Sequence, residues 1–207
     1  MIPFSFQLDD RKVAIVGGGR VSTKRAAVLH EQKADITVIS PTLTNELRQM
    51  KEEGHISWVR RKFVPTDLDG VFLLVIATDN RKENDRITAC ASHVPLVNRA
   101  DGGEGGNIHF PAQVSRGRLS IAITTHGASP KLVSRLKKQF EEYFPSQYEQ
   151  YIDFLYECRQ IVKHTDMSKE RKQAYLEEVL DPSYQQPERQ REIICKIHKE
   201  GGRVWEI

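Results

Sequence analysis

The sequence predicts an α/β fold in the N-terminal half of the chain, followed by a small strand-helix segment and a helical C-terminal domain. Three observations carry that expectation. Apolar, β-branched runs alternate with amphipathic segments up to residue 97, a triple glycine joins the first run to the first such segment, and beyond Pro145 the chain is charged with helical spacing. Strands alternating with helices mean βαβ units, so the first part is expected to be a Rossmann-type parallel sheet. Right-handed crossovers then leave ligands at the carboxyl ends of the strands.

Residues 13–16 are apolar and long enough for one strand buried on both faces. Gly17-Gly18-Gly19 comes next, and then a helix-compatible stretch with apolar Val21, Ala26, Val28 and Leu29. Gly17, Gly19 and Ser22 fill the frame G-x-G-x-x-G/A, with a small serine in the third slot. In that frame Gly17 permits the tight turn, Gly19 lets the backbone approach a pyrophosphate, and the small Ser22 lets helix and strand pack closely. The free N–H groups of the helix start, at Arg20 and Val21, would face the anion. The competing interpretation is a glycine turn kept for packing alone.

Residues 34–40 form a second strand ending at Pro41, and residues 42–53 have helical spacing through Leu43, Leu47 and Met50 up to Gly54. Residues 56–60 alternate as a third strand, and the fully apolar residues 71–77 suit the middle of a covered sheet. Asn80 caps a helix over 80–92, and Leu96-Val97 gives a short fifth strand. The pattern breaks at the glycine-rich residues 101–107. Two short β pieces over 112–125 turn at Arg116-Gly117, and Ser129-Pro130 is an N-cap followed by proline at the first helical position. The helix from Pro130 to about Tyr143 carries Leu132, Val133, Leu136 and Phe140 on one stripe. Three further amphipathic segments break near Thr165-Asp166, Asp181-Pro182 and Gly201. The expected domains are residues 1–112, 113–145 and 146–207.

Bulk properties exclude several classes. The net charge of +3 comes from basic residues interspersed with acids, which suits an anionic small substrate and does not suit a nucleic-acid binder. Cys90, Cys158 and Cys195 are widely spaced and odd in number, so they predict reduced thiols in a cytoplasmic protein and no metal site. The apolar N-terminus meets Asp9-Asp10 too early for a signal peptide, and no run approaches the roughly 18 apolar residues of a membrane span. The phosphate loop G-x-x-x-x-G-K-[ST], a Tyr-x-x-x-Lys pair, H-E-x-x-H and G-x-S-x-G are all missing.

An acid about 20 residues past the glycines would clamp a ribose hydroxyl. Here that strand end reads Ile39-Ser40-Pro41-Thr42, so Ser40 or Thr42 and local backbone take that place. The lack of a neighbouring basic residue favours NAD over NADP. Asp101, just past the fifth strand, should lie at the carboxyl edge of the sheet, where it can accept a proton as a hydride leaves; the alternative is a loop aspartate capping a turn. His109 can hydrogen-bond substrate or shuttle a proton, or else is a packed or solvated side chain. The polar stretch 124–130, with Thr124, Thr125 and Ser129, feeds a helix start that suits substrate carboxylates, or else is an ordinary solvated cap.

Taken together, these segments resemble the precorrin-2 dehydrogenase family, the dehydrogenase and ferrochelatase part of siroheme synthases. The likeness rests on Leu8-Asp-Asp-Arg-Lys-Val-Ala-Ile-Val-Gly-Gly-Gly-Arg-Val, Leu74-Val-Ile-Ala-Thr-Asp79, Val97-Asn98 with Asp101 and Phe110-Pro111, and Leu119-Ser-Ile-Ala-Ile-Thr-Thr-His-Gly-Ala-Ser-Pro130. The resemblance implies NAD-dependent oxidation of precorrin-2, a tetrapyrrole, to sirohydrochlorin, in a homodimer built largely through the strand-helix segment. It places the general base on Asp101, phosphate-side contacts on Gly17 to Val21, adenosine-side contacts on Pro41 and Thr42, and matches the polar stretch at Thr124 and Thr125; Thr78 is a further expected cofactor contact, and His109 and Ser129 are further expected substrate contacts. The chain ends where larger siroheme synthases continue into a methyltransferase domain, so that activity is expected from a separate partner. Metal insertion falls either to a separate chelatase or to this protein acting bifunctionally. A non-catalytic NAD-sensing module is the alternative from another class. The glycines at 102–106 depart from the family pattern and are expected to loosen the pocket.

Overall fold

The apolar run after Arg11 becomes the central strand of a five-stranded parallel sheet, because it is flanked on both sides by equally apolar neighbours. In the computed structural model, which describes residues 2–201, β1 (Lys12–Val16) pairs with β2 (Asp35–Ile39) and with β4 (Leu73–Ile76). With β3 (Ser57–Val59) and β5 (Leu96–Arg99) the order is β3-β2-β1-β4-β5. The chain therefore runs outward in one direction from β1 and in the other from β4, and the strand order reverses between them. Such a reversal opens a crevice at the carboxyl ends of the strands.

Alternation along the strands sorts side chains into two cores. Val13, Ile15, Ile36, Val38, Leu73 and Val75 pack against Ala26 and Leu29 of α1 (Arg20–Glu31) and Leu47 of α2 (Asn45–Glu52). On the opposite face Ala14, Val16, Ile39, Leu74, Ile76 and Val97 pack with Ile87 of α3 (Arg81–Cys90). Thr44 Oγ1 accepts the Leu47 N–H at 3.3 Å and Asn80 Oδ1 accepts the Glu83 N–H at 3.1 Å, so both helices start on side-chain caps.

The fifth strand runs two residues further than its apolar pair, through Asn98 and Arg99, both buried. Its outer edge is closed by the chain returning from the glycine-rich loop. The Val97 N–H donates to Asn107 Oδ1 at 2.7 Å, and the Asn107 N–H donates to the Val97 carbonyl at 2.9 Å. Asn98 Nδ2 donates to the Ile108 carbonyl at 3.0 Å.

The chain divides into two compact units, Met1–Phe110 and Pro111–Ile207. In the second, the antiparallel pair β6 (Ala112–Arg116) and β7 (Leu119–Ile123) turns at Gly117, whose φ is +55°. Arg116 Nε donates to the Phe144 carbonyl at 2.7 Å and ties this hairpin to the end of α4 (Pro130–Tyr143). Three helices, α5 (Tyr148–Lys163), α6 (Lys169–Glu178) and α7 (Pro187–Gly201), enclose Phe154, Cys158, Tyr175, Ile193 and Ile197. Burial there pushes the Cys158 thiol up to about 12. The strand-helix segment and the C-terminal helices thus share one unit; residues 202–207 of the expected helical domain lie outside the described residues. Among the described residues no helix is long and apolar enough to cross a membrane.

Leu74 is fully buried in the second face of the sheet. Leu74→Ala is expected to lower unfolding stability by about 2–5 kcal/mol, read as a lower denaturation midpoint at unchanged slope.

Candidate functional site

Gly17 adopts φ +119°, and a Cβ there would run into the Ala77 carbonyl at the end of β4. A Cβ on Gly18 would collide with the Thr42 carbonyl and lie 2.9 Å from Ser40 Oγ, so this middle glycine is as constrained as the first. Around Gly19, by contrast, there is open space. Gly19 is also the N-cap of α1, and no side chain caps it, so the N–H groups of the first turn at Arg20, Val21 and Ser22 are left for a ligand. That turn carries no acid, and Arg20 opens it. Ser22 is fully buried and its hydroxyl has no partner, as a residue chosen for small size would be.

These glycines form the floor of a cleft of about 530 Å³, within the range of small-ligand and cofactor sites. Its walls include Ser40, Pro41 and Thr42 after β2, Ala77 and Thr78 after β4, and Asn80 and Glu83 at the start of α3. Of the cofactor-side residues expected from sequence, Gly17, Gly19, Pro41, Thr42 and Thr78 line this one cleft, with Arg20, Val21 and Ser22 on the helix that rises from it. Lys62, from the segment after β3, also lines it. Sequence spacing leaves Thr42 without a basic neighbour, whereas folding brings a lysine from 20 residues further along the chain into the lining of the same cleft. The cradle and the uncapped helix start fit the diphosphate of a nicotinamide dinucleotide, and Ser40, Thr42 and Lys62 offer polar groups to its remainder.

Thr78 leads from the cleft to Asp101. Asn84, buried on α3, accepts the Thr78 hydroxyl proton on Oδ1, and its Nδ2 donates to the Thr78 carbonyl at 3.1 Å and to Asp101 Oδ2 at 2.9 Å. Asp101 lies past the carboxyl end of β5, on the edge expected for it. Arg99 grips it as a fork, with Nε to Oδ1 at 2.9 Å and Nη2 to Oδ2 at 2.7 Å. The Gly103 N–H adds a donor to Oδ1 at 3.1 Å, so each oxygen accepts two hydrogen bonds. These bonds, the Arg99 fork first, hold the carboxyl well below the ordinary carboxylate range although partial burial opposes them. By linkage, the pairing contributes stability in full above an unfolded pKa of about 3.9 and loses it as pH falls through the depressed folded value.

The glycine run is packed against Arg99. A Cβ on Gly103 would strike the Arg99 guanidinium, and one on Gly106 would lie 3.1 Å from the Arg99 nitrogen. Sequence reasoning missed Arg99, Asn84 and Lys62. A charged residue at the end of a short strand, with an acid two residues on and then four glycines around Glu104, was the available signal for Arg99.

His109 is exposed, on the segment after Asn107. In the second unit, residues 124–129 form a turn in which Thr124 Oγ1 accepts the His126 N–H at 3.1 Å and Thr125 Oγ1 accepts the Ser129 N–H at 3.0 Å. Ser129 Oγ accepts the Leu132 N–H at 3.2 Å and caps α4. Because each hydroxyl accepts in these bonds, its own proton remains available to an anion. Two of the cations near this turn in sequence are engaged elsewhere: Arg116 on the Phe144 carbonyl, and Arg118, whose guanidinium lies 3.7 Å from the Tyr156 ring centre.

Comparison with known proteins matches the chain in three consecutive pieces. An NAD(P)-binding family model covers residues 4–112, the model of the sirohaem biosynthesis protein central region covers 116–143, and that of the SirC C-terminal domain covers 148–193. The precorrin-2 dehydrogenase of Priestia megaterium is 38% identical over 200 residues, spanning 96% of this chain and 99% of that protein. The precorrin-2 dehydrogenase of Bacillus subtilis is 34% identical over 159 residues, 77% of this chain and 98% of its own. A solved structure described as SirC, precorrin-2 dehydrogenase superposes with a TM-score of 0.83 at 37% identity, covering 96% of this chain and all of its own.

Gly17→Ala is expected to weaken NADH binding at least tenfold while far-ultraviolet circular dichroism stays that of the wild type, because the added methyl meets the Ala77 carbonyl in a strained φ. Fluorescence titration of bound NADH reads the loss.

Proposed function

The chain belongs to the precorrin-2 dehydrogenase family, and from that membership we propose that it oxidises precorrin-2 to sirohydrochlorin with NAD⁺ as hydride acceptor. The observation that carries this is the cradle at Gly17–Gly19 beneath an uncapped α1, in a chain similar along almost its whole length to precorrin-2 dehydrogenases. When bound, the nicotinamide dinucleotide takes up the hydride. The residues of the chain do the rest. The first turn of α1 holds the diphosphate, with the backbone of Gly17 to Val21 close to it. Thr42 and Ser40 take the ribose side in place of the missing acid, and Thr78 fixes Asn84 and, through it, Asp101.

Asp101 serves proton loss from the substrate in this scheme. The oxidation releases one hydride and one proton, so a base is needed as well as a hydride acceptor. His109 and the free hydroxyl protons of Thr124, Thr125 and Ser129 are assigned to the carboxylate arms of the tetrapyrrole. The strand-helix segment serves as a homodimer interface. Its support is α4, whose stripe includes exposed Leu132 and which buries none of its residues within the single chain. Three free thiols support a reducing, cytoplasmic setting.

Anaerobic formation of NADH from precorrin-2 and NAD⁺ tests substrate, cofactor and reaction together; no NADH despite tight NAD⁺ binding would instead favour a sensing module. Asp101→Ala is expected to lower kcat at least a hundredfold with little change in NADH affinity, and wild-type turnover in that variant would remove the residue from the mechanism.

Lys62 bears on the choice of dinucleotide. Lys62→Glu would set a like charge against the 2′-phosphate of NADP⁺, so the ratio of kcat/KM for NADP⁺ to that for NAD⁺ is expected to fall at least tenfold.

A further inference from the structure

We propose that Arg99 is a positioning residue that holds the Asp101 carboxylate in one rotamer, as an anion, throughout the working pH range. The inference rests on the role given to Asp101 in the proposed function and deepens it. Its basis is the geometry around a guanidinium that the dinucleotide cleft never reaches.

The Arg99 side chain is only 2% exposed, although it carries a permanent charge. Burying an arginine is unfavourable unless its donors are met. Here it makes five hydrogen bonds, to both Asp101 oxygens, to Asp85 Oδ1 at 2.9 Å, to Thr88 Oγ1 at 3.0 Å and to the Glu104 carbonyl at 3.2 Å. The loop is shaped to this side chain. Gly103 and Gly106 leave the space that the guanidinium and its stem fill, and Gly105, at φ +87°, leaves no room for a Cβ beside Thr88. The glycines and the arginine are therefore one device. With bulkier residues in the loop the guanidinium would be displaced, and without the arginine the loop would close over an empty space.

The groups facing the pair are few. From α3 come Asp85, which shares the guanidinium, and the neutral Asn84 and Thr88. From the loop comes Glu104, through its carbonyl, together with the Gly103 N–H. Among the described residues, Arg99 is the only cation bonded to Asp101. Two consequences follow for the carboxylate. It cannot rotate without breaking the fork, so both oxygens keep their directions at the edge of the sheet. It is also never protonated before the substrate arrives, although a carboxylate so well supplied with donors is a weaker base than a free one. Accepting the substrate proton then means releasing one donor, and Arg99 is the strongest of them.

The test is the titration of the Asp101 carboxyl carbon, followed by ¹³C NMR on the full-length protein labelled at aspartate, with Asp101→Asn used to assign the signal. Wild-type Asp101 should remain ionised at pH 4. In Arg99→Met the carboxyl should titrate about 1–3 pH units higher than in the wild type. The acid limb of kcat/KM should move in the same direction, while Arg99→Lys, which restores the charge but not the fork, should fall between the two. If Arg99→Met does not fold, Gly103→Ala reads the same quantity by pressing a methyl against the guanidinium, with a smaller upward shift expected. An Asp101 signal that titrates at the ordinary carboxylate value in the wild type, or stays unmoved in the variant examined, overturns the proposal. Full turnover in Asp101→Asn would instead remove Asp101 from the reaction, and the carboxyl titration separates that failure from this one.

Discussion

Two residues without a Cβ set the spacing on which the rest of the first unit depends. Gly17 and Gly18 let the β1–α1 turn come into contact with the Ala77 and Thr42 carbonyls, at the ends of the strands on either side. That contact brings three strand ends around one crevice. It also aims α1 so that its first turn opens onto the crevice with no capping side chain. Larger residues would push the turn outward, separating the helix start from Thr42 and Thr78. The cleft is thus a consequence of backbone approaching backbone, and its side chains only decorate a shape already set.

Charged groups stand along that edge. The helix start and Arg20 set positive potential at the glycines, while Lys62, Asp79 and Glu83 all line the same cleft. Past β5 stands an ion pair, Asp101 kept ionised by the Arg99 fork. Asn84 connects the two ends with both faces of its amide, accepting from Thr78 and donating to Asp101. An amide is suited to this place because it can do both at once and carries no charge of its own to disturb either end.

Much of this was legible in the sequence where a local pattern decides structure. β1, β4 and α4 fall where apolar periodicity and the Ser129-Pro130 cap put them, since each obeys a local rule. The glycine frame marked the cleft, and Pro41, Thr42 and Thr78 line it. Legibility failed where a polar residue is satisfied by something distant in the chain. Asn98 and Arg99 extend β5 because the Ile108 carbonyl, Asp85 and Asp101 meet their donors, and no spacing rule announces such partners. Lys62 reaches the cleft only through the β2–β3 pairing. The glycines at 102–106 looked like slack because a sequence does not show what fills the space they leave.

The return of the chain at Asn107 has a further consequence for the protein in a crowded solution. An edge strand with free N–H and C=O groups is a template on which a second sheet can grow. Here Asn107 and Ile108 occupy that side of β5, one of them with a side-chain amide standing in for a strand's backbone. The opposite edge, β3, is only three residues long. Neither border of this apolar sheet therefore offers much length for strand addition. The chain that returns from the loop enclosing Arg99 thus also covers a border of the sheet.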